Sequence, residues 1–156
     1  MTFDNDMAKV VKEYNVPIII MHIKGTPKDM QQNPQYKDVL KEVKNYFIER
    51  IEYANKNGIS KDKIIIDPGI GFGKTYEHNI ELIKHIDYFN DLEVPILLAV
   101  SRKSSIGVAL GNVPPEERLE GTIAVTCYAS MKNVDIIRVH DVLENKRAIM
   151  MMEALK

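Results

Sequence analysis

Apolar positions along this chain fall into two alternating kinds of spacing. Phe3, Met7, Val10, Val11 and Tyr14 recur every three or four residues, which predicts an opening amphipathic helix of about three turns. Val16-Pro17-Ile18-Ile19-Ile20-Met21-His22 is instead a continuous apolar run and predicts a fully buried strand, with Pro17 near its start where a missing amide is tolerated. A loop from Lys24 to Gln35 follows, the longest irregular piece. Tyr36, Val39, Leu40, Val43, Tyr46, Phe47 and Ile51 then return to helical spacing, and Asn57-Gly58 supplies a stop signal. The cycle repeats: a strand from Lys63 to Asp67, a helix carrying Ile80, Leu82, Ile83 and Ile86, and a strand from Pro95 to Val100. A helix starting near Pro114-Pro115 runs through Leu119, Ile123, Cys127 and Met131. A fourth strand spans Val134 to His140, and Ala148, Ile149, Met152 and Leu155 mark a last helix.

Apolar strands alternating with helices predict an α/β fold with a parallel sheet covered on both faces. The strand-ending residues His22, Asp67, Ser101 and His140 recur at intervals slightly longer than the ~31 residues that a (β/α)8 barrel of ~250 residues gives each unit. Four such units make about half a TIM barrel. The chain also opens on a helix with no strand before it, which in a right-handed succession would close a preceding unit. The expectation is therefore one domain over residues 1–156, forming the C-terminal half of a barrel.

Composition narrows the function classes. The 156 residues are 45% hydrophobic and 28% charged, an ordinary globular balance, and the net charge of -1 argues against a broad nucleic-acid or anionic-membrane surface. No apolar run approaches the ~20 residues of a membrane span, and the acidic start lacks the features of a signal peptide. The single cysteine, Cys127, excludes an internal disulfide, fits a reducing cytoplasm, and sits in a pattern that predicts a core thiol.

The candidate chemistry lies at the strand ends. Ile64-Ile65-Ile66 delivers Asp67 into Pro68-Gly69-Ile70-Gly71-Phe72-Gly73-Lys74-Thr75. Counting excludes a GxxxxGKT phosphate loop, because Pro68 occupies the required glycine position, and excludes GxGxxG, because the spacing is GxGxG. The glycines would let backbone amides approach a ligand, and Thr75 can cap the next helix. A carboxylate ending an all-isoleucine strand suits a paired N–H edge of a guanidine-like heterocycle; loop capping is the alternative. Arg138 and His140 share a face and can hold an oxyanion such as diphosphate, with an ion pair from Arg138 to Asp141 as the alternative. Lys103 can donate to a ligand, Arg102 pairs at the surface, and Ser101 contacts a second substrate or caps a helix. His22 reads as a structural hydrogen-bonder or a ligand contact, whereas His78 and His85 belong to no metal motif and read as exposed helix residues.

These motifs resemble one family when taken together and in order. Met21-His22-Ile23-Lys24-Gly25-Thr26-Pro27, Asp67 to Lys74, Ser101-Arg102-Lys103-Ser104, Glu120-Gly121-Thr122 and Arg138-Val139-His140-Asp141-Val142 resemble the second half of the dihydropteroate synthase family. The resemblance implies a (β/α)8 barrel, usually a homodimer. It implies condensation of 6-hydroxymethyl-7,8-dihydropterin diphosphate with 4-aminobenzoate, releasing diphosphate, in folate biosynthesis. By position, Asp67, Lys103, Met21 and Gly71 are similar to pterin-site residues, Phe72 and Ser101 to aminobenzoate-site residues, and Arg138 and His140 to the diphosphate pair. Lys103, Arg138 and His140 are the implied catalytic set. The family's Mg²⁺ is implied as well, with its asparagine ligand outside this chain. So are two long loops and further pterin-gripping residues, and the chain alone is expected to be inactive or nearly so. The related pterin barrel that passes methyl groups from methyltetrahydrofolate to a corrinoid protein is an alternative, though it has no use for a diphosphate pair. A non-catalytic pterin-binding partner subunit is another.

Overall fold

The computed structural model describes residues 1–4 and 6–155. Its elements follow the order α1 (Met7–Tyr14), β1 (Ile18–Met21), α2 (Val39–Lys56), β2 (Ile64–Asp67), α3 (Tyr76–Lys84), β3 (Leu97–Leu98), α4 (Ser104–Ala109), α5 (Leu119–Met131), β4 (Ile136–Ile137) and α6 (Val142–Ala154). Single 3-10 turns precede β2 and α5, and a longer one, Ile86–Leu92, follows α3.

All strand pairing is parallel. β1 and β2 run in register from Ile18 opposite Ile64 to Met21 opposite Asp67, and Leu97-Leu98 of β3 pair with Ile136-Ile137 of β4. A bridge between Ile66 and Ile96 joins the two ladders, with Ile66 N–H donating to Pro95 O at 2.9 Å. The spatial order is therefore the chain order, as expected for successive βα units. The ladders are shorter than the apolar runs that encode them, because Pro95 and the polar strand ends do not extend the pairing.

Strand alternation divides the residues. Ile20, Ile64, Ile66, Ile96, Leu98 and Val100 join one hydrophobic cluster with Val43, Phe47 and Ile51 of α2, Leu82 and Ile83 of α3, and Phe89. Phe47 and Phe89 meet edge to face at 5.7 Å between ring centres. The opposite face is less well covered, which corrects the expectation of fully buried strands. Ile19 is 51% exposed where Ile20 is 5%, because its side chain points to the face away from the hydrophobic cluster, and both residues of β4 are half-buried.

Other differences concern helices. Phe3 lies outside α1 and is exposed, and the buried residues of α1 are Ala8 and Val11. Tyr36 precedes α2, which Asp38 caps by accepting from Lys41 N–H at 3.1 Å. Helix α4 has no counterpart in the expected set. On α5 the buried face is Thr122, Thr126 and Ala129, not the stripe of Leu119, Ile123, Cys127 and Met131. Its partner is α6, whose buried Asn145 accepts from Thr126 Oγ1 at 2.7 Å. That polar contact turns α5 so that Cys127 is half-buried and Met131 exposed.

Candidate ligand-binding site

The strand tips converge. Met21 from β1, Asp67 and Phe72 from the end of β2, Ala99, Ser101 and Lys103 beyond β3, and Arg138 to His140 beyond β4 line one cavity of about 220 Å³. Seven of the eight expected site residues are thus brought together. Gly71 is not: it borders a neighbouring polar cavity of about 250 Å³ that also includes Gln31, Lys74 and Ser104. It remains close by, since a Cβ built on it would stand 3.6 Å from Lys103 Nζ.

Asp67 is buried, and one carboxylate oxygen, Oδ1, accepts from Gly69 N–H at 2.7 Å. Loop capping and a ligand-facing position therefore coexist in one side chain. Burial pushes its carboxyl above the ordinary range; the Gly69 N–H and the charges of Lys103, Lys74 and Arg138 oppose that shift. Burial also lowers the Lys103 ammonium, and Asp67 partly restores it. Lys103 Nζ sits 4.6 Å from the centre of the Phe72 ring, placing a cation and an aromatic plane side by side.

Ser101 does something the sequence did not indicate. Its Oγ accepts from His140 N–H at 3.0 Å and lies 2.8 Å from His140 Nδ1. A Ser101 hydroxyl donating to Nδ1 would leave Nε2–H as the ring's outward donor. Between Ser101 and Lys103, Arg102 has a left-handed backbone, φ 52°, and is held from three sides. Its guanidinium makes a two-pronged pair with Asp141 at 2.7 and 2.9 Å, its N–H donates to Thr122 Oγ1, and its carbonyl accepts from Arg118. The partner of Asp141 is therefore Arg102, not Arg138, and Arg138 is free to face the cavity.

The glycine loop is built differently from the expectation that its amides face a ligand. Gly71 N–H donates to Asn79 Oδ1 at 2.7 Å, and Gly69 N–H is taken by Asp67. What requires glycine is the preceding loop: a Cβ on Gly69 would lie 2.0 Å from His22 O, and one on Gly73 2.2 Å from Lys24 O, both at positive φ. Gln31 Nε2 donates to Gly71 O at 2.5 Å and Tyr36 Oη to Gly73 O at 2.8 Å, so the two loops are tied along their length. Thr75 caps α3 as expected, accepting from His78 N–H at 3.3 Å. The His78 ring returns a contact to Thr75 N–H at 3.2 Å, so His78 is a half-buried cap residue and not an exposed helix position. His85 is also half-buried, at the end of α3. His22 is buried and structural, 2.9 Å from the Nζ of Lys74.

The strand ends of this parallel α/β frame thus gather a carboxylate, an aromatic ring and cationic or donor side chains at the edge where such frames bind ligands. The model of the pterin binding enzyme family matches residues 1–140, and the chain belongs to that family. It is 47% identical over 153 residues to a dihydropteroate synthase of Clostridium beijerinckii, covering 97% of this chain and 54% of that one. Among solved structures it is similar to the Yersinia pestis dihydropteroate synthase in a sulfonamide drug complex, with TM-score 0.92 and 39% identity over 95% of this chain and 54% of the other. The Xanthomonas albilineans dihydropteroate synthase with 4-aminobenzoic acid matches with TM-score 0.90 and 36% identity, over 97% and 54%. The chain spans about half the length of the curated relatives it matches.

Proposed function

We propose that this chain carries the pterin- and diphosphate-binding half of a dihydropteroate synthase, built as the last four βα units of a TIM barrel in one domain. The observation that carries the reading is the convergence of Met21, Asp67, Phe72, Ser101, Lys103, Arg138 and His140 on one cavity. Asp67 accepts from the 2-amino and N3 hydrogens of 6-hydroxymethyl-7,8-dihydropterin diphosphate, and Lys103 and Met21 complete the pterin contacts. Arg138 and Nε2–H of His140 donate to the diphosphate, where negative charge grows as the C–O bond breaks and the electron pair leaves with the phosphate oxygen. The cation left on the pterin methylene is attacked by the amine of 4-aminobenzoate, seated near Phe72. A C–N bond forms, the amine proton passes to solvent, and 7,8-dihydropteroate and diphosphate result.

Among the described residues no group of three or more His, Cys, Asp or Glu is placed to hold a metal ion, so the Mg²⁺ implied by the resemblance has no donor set here and is assigned no step. The exposed apolar residues of α6, Val142, Leu143, Met150 and Met151, favour a homodimer. No helix among the described residues is long and apolar enough to cross a membrane, and the lone Cys127 favours a cytoplasmic setting.

The test is binding of the pterin diphosphate, followed by its fluorescence, to the wild type and to Asp67→Asn. A carboxylate accepting charged-type hydrogen bonds contributes about 1.5–3 kcal/mol, so the variant should bind roughly ten to a hundred times more weakly. Equal binding, or none to the wild type, sinks the proposal. A second reading, a non-catalytic pterin-binding subunit, is favoured by the half-length match to the relatives. Dihydropteroate formation by the purified chain excludes it.

A further inference from the structure

Lys74 has no part in the chemistry above, yet it is among the most deeply buried charged residues of the chain, 3% exposed. An ammonium has three hydrogens, and here His22 Nδ1 at 2.9 Å, Gly69 O at 3.0 Å and Phe72 O at 3.0 Å surround it, with His22 O at a longer 3.5 Å. His22 belongs to the end of β1, and its own carbonyl is the atom against which Gly69 is pressed. Gly69 lies two residues after Asp67, and Phe72 carries the ring beneath Lys103. We propose that Lys74 is a positioning residue: its ammonium ties the β1 end to the glycine loop, and so sets where Asp67 and the Phe72 ring stand in the cavity.

The surroundings are consistent with that assignment. For Nδ1 to accept, His22 must be neutral, and burial together with Lys74 and Lys24 lowers its pKa to about 3, with Glu42 opposing. The Tyr46 ring lies edge-on to His22 at 5.0 Å and the Tyr36 ring at 6.1 Å, shielding the pair. Burial lowers Lys74 itself to about 7, with Asp67 raising it and Lys103 lowering it further. The third donor is therefore lost as pH rises through neutrality, and the tie weakens on the alkaline side.

The part concerning ligand rests on the pterin reading above, so the first measurement uses the unliganded protein. Nitrogen NMR should show His22 as the neutral Nε2–H tautomer, and amide exchange at Phe72 and Gly73 should be at least tenfold faster in Lys74→Met than in wild type. In pterin titrations, His22→Asn keeps an acceptor at the δ position and should bind within threefold of wild type, while His22→Leu should bind at least tenfold more weakly. Between pH 6 and 9 the wild type should lose affinity relative to Lys74→Met, which lacks the titrating group while both retain Lys103. If Lys74→Met does not fold, the His22 pair still decides. A protonated Nδ1, unchanged loop exchange, or equal binding by the two His22 variants overturns the proposal. Faster exchange in Lys74→Met with no pterin binding by any form sustains the positioning role and rejects the pterin reading.

Discussion

Replacing Gly69 with alanine should reveal how tightly the two loops are pressed together. The backbone at Gly69 is left-handed, φ 67°, which costs an L-residue about 1–2 kcal/mol. The new Cβ would also stand 2.0 Å from His22 O, closer than any real Cβ contact, and the obstacle is backbone that cannot rotate away. Moving the loop back by about 1 Å breaks the bond from Gly69 N–H to Asp67 and the bond from Lys74 to Gly69 O, each contributing about 1 kcal/mol. The expected loss for Gly69→Ala is about 3–4 kcal/mol. Gly111→Ala is the matched control, because Gly111 is also left-handed, φ 89°, but a Cβ there meets nothing within 4 Å. It should lose only the backbone component, about 1–2 kcal/mol. Urea unfolding followed by circular dichroism measures both. If the two variants prove equally stable, the contact between the loops carries no energy and the description of the site as an interlocked pair of loops is wrong.

Other outcomes test other parts of the molecule. Folded His22 resists protonation down to about pH 3 while the unfolded chain takes up its proton near 6.5. The stability it contributes is therefore complete above pH 6.5 and is lost as pH falls toward 3, by about 2 kcal/mol at pH 5; pH-dependent urea midpoints should show this slope in wild type and a flatter one in His22→Asn. Phe47→Ala removes a fully buried ring that packs on Phe89 and should cost about 3–5 kcal/mol, read by calorimetry. Thr75→Ala deletes the side-chain cap of α3 and should cost about 1 kcal/mol in urea unfolding, since His78 N–H loses its acceptor while the ring contact to the backbone N–H of residue 75 stays.

Much of this architecture was legible because it rests on short-range rules. The isoleucine run before Asp67 pairs over Ile64–Asp67, and the helix ending at Asn57-Gly58 does end there, with Gly58 at positive φ. The site residues gather because parallel strand ends must share an edge, so spacing alone was enough to group Asp67 with Lys103, Arg138 and His140. What stayed hidden depends on partners distant in sequence. Nothing near Thr126 announces that Asn145 will draw it inward, and so the apolar stripe through Ile123 and Cys127 pointed to the wrong face of α5. Lys74 sits in a polar, glycine-rich stretch, where a lysine ordinarily reaches solvent; its burial follows from carbonyl oxygens on two loops that only the fold brings together. The bond between Ser101 and His140 stayed hidden for the same reason, because it spans two strand ends.

The attachment of β4 has a further consequence. Its ladder with β3 is two residues long, with Arg138 N–H donating beyond it to Leu98 O at 3.0 Å, and carboxylates brace both ends: Asp135 Oδ2 accepts from Ile96 N–H at 2.8 Å before the ladder, and Asp141 clasps Arg102 after it. This edge is therefore fastened by side-chain carboxylates as well as by backbone. Concentrated salt, or acid strong enough to protonate Asp141, whose carboxyl Arg102 holds below the ordinary range, weakens that clasp while leaving the isoleucine ladder of β1 and β2 untouched, so the C-terminal edge should loosen first. Arg138 and His140 would leave the cavity first, and Asp67 last.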